Sequence, residues 1–107
     1  MVNTFNFTSK DTLNAISAQP LQSIKNKTIT ISGMAIDNRP DRDGQVVVVG
    51  YIKTSDGSIY TTISDTVIRG IDALIDYVVD EGVDTVDVKV ATKKSKNNRE
   101  FFVLEVI

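Results

Sequence analysis

Two tyrosines and a lysine, Tyr51, Lys53 and Tyr60, lie in adjoining segments of strand-forming residues separated by the turn formers Ser55-Asp56-Gly57. Rings and a cation at such spacing can share one face of a hairpin. They then suit a ligand with flat π surfaces and regularly spaced negative charge, as a single-stranded polynucleotide has. Each stacked base contributes about 1–3 kcal/mol, and cations add a salt-dependent, sequence-independent term. Phe101 is a third candidate ring. Five cations, Lys89, Lys93, Lys94, Lys96 and Arg99, follow one another with no acid among them, and Ser95, Asn97 and Asn98 add hydrogen-bonding groups for phosphate or sugar. Each feature also has a plainer reading. Tyrosine and phenylalanine fit strands as half-buried neighbours, and a basic run often forms a solvated hairpin tip. Arg39 and Arg42 are a weaker signal, interleaved with Asp37, Asp41 and Asp43.

Composition narrows the chemistry further. The chain has 107 residues, enough for one compact domain, and contains no cysteine and no histidine. Disulfides, zinc sites built from Cys and His, and catalysis by either residue are excluded. The segment Asp37-x-x-x-Asp41-x-Asp43-Gly44 has a faint likeness to a calcium loop. Pro40 and two arginines interrupt it and its terminal glutamate is missing, so it reads as a surface turn. No spacing places two carboxylates in an apolar cleft, and no phosphate-cradling glycine motif occurs. Neither catalysis nor a cofactor is expected. No secretory signal and no apolar run of about 20 residues is seen, so a cytoplasmic location without a membrane partner is expected.

A net charge of −2 does not by itself favour a polyanionic ligand. Its distribution does. Asp65, Asp72, Asp76, Asp80, Glu81, Asp84 and Asp87 face only Arg69 within one stretch, so the rest of the chain is net positive.

The elements that must position these groups follow from periodicity. The alternation in Thr28 to Ile36 predicts a strand, with Gly33 marking a bulge. An exposed loop is expected over 37–44, then strands over Gln45 to Lys53 and Ser58 to Ile63. Ser64 or Asp65 should cap a helix whose Val67, Ile68, Ile71, Leu74, Ile75, Val78 and Val79 face inward, with Asp72, Asp76 and Asp80 outward and Gly82 as the stop. Strands over Thr85 to Thr92 and Glu100 to Ile107 complete the set. Residues 1–27 read as an N-terminal extension, in which Ser9 can cap a short helix through Leu13 and Ile16, ended by Pro20, and Leu21 and Ile24 pack on the rest. The fold class expected is mainly β with one or two helices: a five-stranded oligonucleotide-binding (OB) barrel over 28–107, in the order β-β-β-α-β-β.

The faces depend on the turns. With Ile59 and Ile63 inward, Ser58, Tyr60 and Thr62 point outward; in the preceding strand Val47, Val49, Tyr51 and Lys53 are expected outward and Val46, Val48 and Ile52 inward. A two-residue turn at Asp56-Gly57, or a four-residue turn over Thr54 to Gly57, keeps Tyr51, Lys53 and Tyr60 together. A three-residue turn separates them. Gly50 can admit a base close to the backbone or mark a bulge.

The pattern Gly57-Ser58-Ile59-Tyr60-Thr61-Thr62-Ile63-Ser64 entering a helix, then a valine-alternating strand and Lys93-Lys94-Ser95-Lys96-Asn97-Asn98-Arg99-Glu100-Phe101-Phe102, resembles the small single-stranded DNA-binding proteins of bacteriophages and bacterial mobile elements. The resemblance covers roughly residues 28–107. It implies non-catalytic coating of single-stranded DNA in replication or recombination. Stacking would fall to Tyr51, Tyr60 and Phe101, and charge neutralisation to Lys53, Lys89, Lys93, Lys94, Lys96 and Arg99. Replication or recombination proteins are the further partners implied. Recruitment through an acidic C-terminal tail, which bacterial housekeeping members carry, is not expected, because the chain closes on Val103-Leu104-Glu105-Val106-Ile107. The alternative from another class is a protein-binding adaptor or a phage regulator of a host protein.

Overall fold

Hydrogen bonding among strands, rather than helix packing, organises this chain. A computed structural model describes residues 2–107. Among them are strands β1 (Asn3–Phe5), β2 (Gln19–Pro20), β3 (Thr28–Pro40), β4 (Val46–Thr54), β5 (Ile59–Thr62), β6 (Val86–Lys94) and β7 (Glu100–Val106), with helices α1 (Ser9–Asn14) and α2 (Asp65–Glu81). From β3 onward the order is three strands, a helix and two strands.

All seven strands join one curled half-barrel sheet in the order β2-β5-β4-β3-β6-β7, with β1 also on β3. The expected count of five is therefore corrected. β5 is only four residues long, and its free edge takes β2 in parallel, Gln19 opposite Tyr60 and Pro20 opposite Thr61, rather than β7. An open seam remains there, a cleft of about 400 Å³ lined by Pro20, Leu21, Thr61, Ile63, Ser64 and Phe102.

β3 bends because it carries an extra residue: Ile31 pairs with Thr54 but Gly33 with Lys53, which leaves Ser32 as the bulge. Before the bulge β3 pairs with β6, from Thr28 opposite Lys89 to Ile31 opposite Val86; after it β1 takes that edge, from Phe5 opposite Met34 to Asn3 opposite Ile36. Only the second half of the segment expected to be a loop over 37–44 is one; residues 37–40 are strand, since β3 and β4 stay paired as far as Pro40 opposite Val46.

All three hairpins close by the same three-residue loop. The N–H groups of Asp41, Thr54 and Ser95 donate to the carbonyls of Gln45, Ser58 and Arg99 at 2.7, 2.9 and 2.9 Å. The third loop residue, Gly44, Gly57 or Asn98, adopts a left-handed φ of 80°, 91° or 64° and donates back to the first carbonyl. In the middle turn the Thr54 hydroxyl donates to Asp56, and the Ser58 N–H donates to the same oxygen at 3.0 Å. These bonds hold the Asp56 carboxyl below the usual carboxylate range.

The inner face of the sheet packs on α2. Ser64 caps this 17-residue helix, and Gly82, with φ 65°, ends it by donating to the carbonyls of Val78 and Val79. Val67, Ile68, Ile71, Leu74, Ile75 and Val78 meet Ile31, Met34, Ile36, Ile52, Val86, Val88 and Val90 in the main core. Val79, expected inside, is 62% exposed. Gly50 serves this packing: a Cβ there would lie 2.7 Å from Ile71 Cδ1 and 3.2 Å from Ile68 Cγ1.

Candidate nucleic-acid interface

Strand alternation on β6 and β7 places the basic groups. Because Val88 and Val90 enter the core, Lys89, Ala91 and Lys93 turn to the outer face. Phe101, Val103 and Glu105 follow by register: Lys93 pairs with Phe101, Ala91 with Val103 and Lys89 with Glu105. The Phe101 ring is half-buried, and Lys89 and Lys93 are exposed. A directly opposed pair has its Cβ atoms about 5 Å apart, so Lys93 and Phe101 leave the sheet side by side on this face. Lys96 and Arg99 continue this ribbon of positive charge through the exposed tip, where the Arg99 N–H donates to the Ser95 hydroxyl at 3.3 Å, while Lys94, exposed and opposite Glu100, has the parity of Val90 and leaves β6 on the other face. Glu105 is the acid within the ribbon, 3.8 Å from Lys93 Nζ. Glu100, at the base of the tip, is engaged by Lys25 at 2.5 Å.

The other expected groups do not join this ribbon. Tyr51 and Lys53 point to the outer face, as expected, but neither is open. Tyr51 is 4% exposed within a second apolar cluster of Ala15, Ala35 and Ile59, with Phe7, Ala18 and Val49 packed around it. The Phe7 ring lies 5.8 Å from its centroid, and the Arg39 guanidinium 5.7 Å. Lys53 Nζ donates to Asp11 Oδ2 at 2.7 Å, with side-chain exposures of only 17% and 13%.

Tyr60 departs from its expected face altogether. The three-residue turn pairs Lys53 with Ile59 and Ile52 with Tyr60, so Ile59 joins Tyr51 outside while Tyr60 packs against the main core. The three groups thus never meet. The inward position expected for Val46 and Val48 fails for another reason: β4 outruns the core, and these side chains are 71% and 43% exposed. Ile63, expected inward, is 72% exposed.

Asp11 is the residue that sequence reasoning missed. Its signal was legible, since Thr8 and Asp11 form a capping box one position before the expected Ser9 cap: the Thr8 N–H donates to Asp11 Oδ2 at 2.8 Å, and the Asp11 N–H to the Thr8 hydroxyl at 3.2 Å. Burial opposes ionisation of Asp11. The Lys53 hydrogen bond, the Thr8 donors and the Lys53 charge together overcome it and lower the carboxyl below its ordinary 3.8.

Among the described residues no group of three or more carboxylates could hold a metal ion, and no helix is long and apolar enough to cross a membrane. Against this geometry, the family model described as phage single-stranded DNA-binding protein matches residues 14–107. The chain belongs to this family. The match takes in β2 to β7 and α2, including the whole basic ribbon, and leaves out β1, Phe7 and Asp11. No curated protein and no solved structure matches the chain.

Proposed function

We propose that this protein binds single-stranded DNA without catalysis and with little sequence preference, through an OB-like half-barrel, in phage or plasmid DNA replication or recombination. The observation that carries this reading is the pairing of Lys93 with Phe101 on one exposed face of β6–β7, continued by Lys89 on that face and by Lys96 and Arg99 at the tip. Family membership supports the ligand class. The ring supplies a stacking platform for a base, and the cations neutralise the phosphates on either side. Neither interaction reads base edges, so affinity is spread over sequences.

Titration of a fluorescent oligothymidine at two salt concentrations tests this reading. Binding should weaken steeply with salt, and Phe101→Ala should cost about 1–3 kcal/mol, one stacked base. Undetectable binding at low salt would sink the proposal and favour the adaptor alternative.

A further inference from the structure

The segment from Phe7 to Ala18 is a strap across the outer face of β4 and β5. It is fastened at both ends, by β1 on β3 and by β2 on β5. The β1 end is tight: the Gly33 backbone lies so close to Asn6 that a Cβ there would meet the Asn6 carbonyl oxygen at 2.6 Å. Between these fastenings the hold is thin. The strap buries Ala15, part of Phe7 and Ala18, and the Asp11–Lys53 ion pair, while Leu13 and Ile16 are 68% and 78% exposed. Its helix has six residues, well short of what is stable without tertiary support. Asn6, at the junction with β1, turns the chain at a left-handed φ of 48° and donates its side-chain amide to the Ser32 carbonyl at 2.8 Å, so the strap departs from a fixed point.

What the strap presents to the sheet is chemically specific. The Phe7 ring packs beside Tyr51, centroids 5.8 Å apart and planes tilted by 33°, and an anionic oxygen of Asp11 meets Lys53 at 2.7 Å. A nucleotide presents the same two groups, a flat ring and an anionic oxygen, to a stacking ring and a cation. We propose that Phe7 and Asp11 act as an intramolecular mimic of a nucleotide, masking a second contact site formed by Tyr51 and Lys53, and that single-stranded DNA gains this site by lifting the strap. The inference rests on the reading that the protein binds single-stranded DNA. Because the strap must be displaced, the observed affinity is reduced by the fraction of molecules in which the site is closed. Weakening the mimic therefore tightens binding.

The test uses the full chain with oligothymidine at moderate salt. Asp11→Asn should tighten the dissociation constant about three- to tenfold, the effect of raising the open fraction by that factor. Lys53→Ala should weaken binding in the Asp11→Asn background and change it little in the otherwise wild-type chain. In wild type, amide hydrogen exchange over residues 8–18 should quicken when DNA is added. Equal affinities for wild type and Asp11→Asn, with exchange over 8–18 unchanged or slowed by DNA, would overturn the strap. If Asp11→Asn does not fold, the wild-type exchange measurement decides alone. Failure of the wild type to bind at all would instead remove the underlying reading, and the strap with it.

Discussion

Lys53 Nζ and Asp11 Oδ2 lie 2.7 Å apart beneath the strap, and this pair joins the N-terminal segment to β4 of the half-barrel. Both side chains are mostly withdrawn from water, so removing one partner strands the other. Asp11→Asn should cost about 1–3 kcal/mol in denaturant unfolding, the penalty of an unsatisfied buried polar group. The pH dependence has a definite sign. The folded-state pKa of Asp11 is lowered, so its contribution is complete above the ordinary 3.8 and is lost as pH falls through the depressed folded value. The stability advantage of wild type over Asp11→Asn should therefore be constant from pH 5 to 7 and shrink below about 4. An advantage that grew on acidification would contradict the assignment.

Salt dependence offers a count of the phosphates engaged. If Lys93, Lys96 and Arg99 each neutralise one phosphate, changing any of them to Ala should lower the slope of log K against log salt by about 0.7, the value for single strands. Lys25→Ala should leave the slope nearly unchanged, because Lys25 already holds Glu100 at 2.5 Å. Equal slopes for all four variants would show that the tip does not meet the DNA backbone.

Gly50 separates a structural from a ligand-binding role. Gly50→Ala places a methyl group 2.7 Å from Ile71 Cδ1, so the helix side chain must shift, at a cost of about 1–3 kcal/mol of stability. Affinity for oligothymidine, measured on the folded fraction, should not change. A large loss of affinity with normal stability would restore the idea of a base approaching this backbone.

Element order and the basic ribbon were legible in the sequence because they depend on local periodicity. The alternation of Val86, Val88 and Val90 fixes which way Lys89 and Lys93 point, and the spacing of Val67, Ile71, Leu74 and Val78 fixes the buried side of α2. Tyr60 was misplaced because its face depends on a single count. A loop of three residues, selected by the left-handed Gly57, reverses the parity that a loop of two or four would give. The covering of Tyr51 was invisible for a different reason. Phe7 and Ala18 lie in connections outside the regular elements and Ala15 opens a three-residue turn, so no apolar period marks them and only tertiary contact reveals where they lie.

Glu105 supplies the most direct test of the ribbon, because there the expected change is a gain. It stands opposite Lys89 in the ladder and 3.8 Å from Lys93, so an approaching phosphate meets a like charge between two cations. Both Lys93 and Glu105 are well exposed, and their pairing adds little to stability. Glu105→Gln keeps the side chain's shape while removing the charge. It should leave unfolding unchanged and tighten oligothymidine binding about two- to fivefold at low salt, with the gain fading as ionic strength rises and the Debye length shortens. Asp76→Asn is the matched control, an equal change of net charge on the exposed side of α2, which packs on the inner face of the sheet. If both variants tighten binding equally, only net charge matters and the ribbon is not the contact surface; if Glu105→Gln alone does so, the DNA passes over Lys89, Lys93 and Phe101.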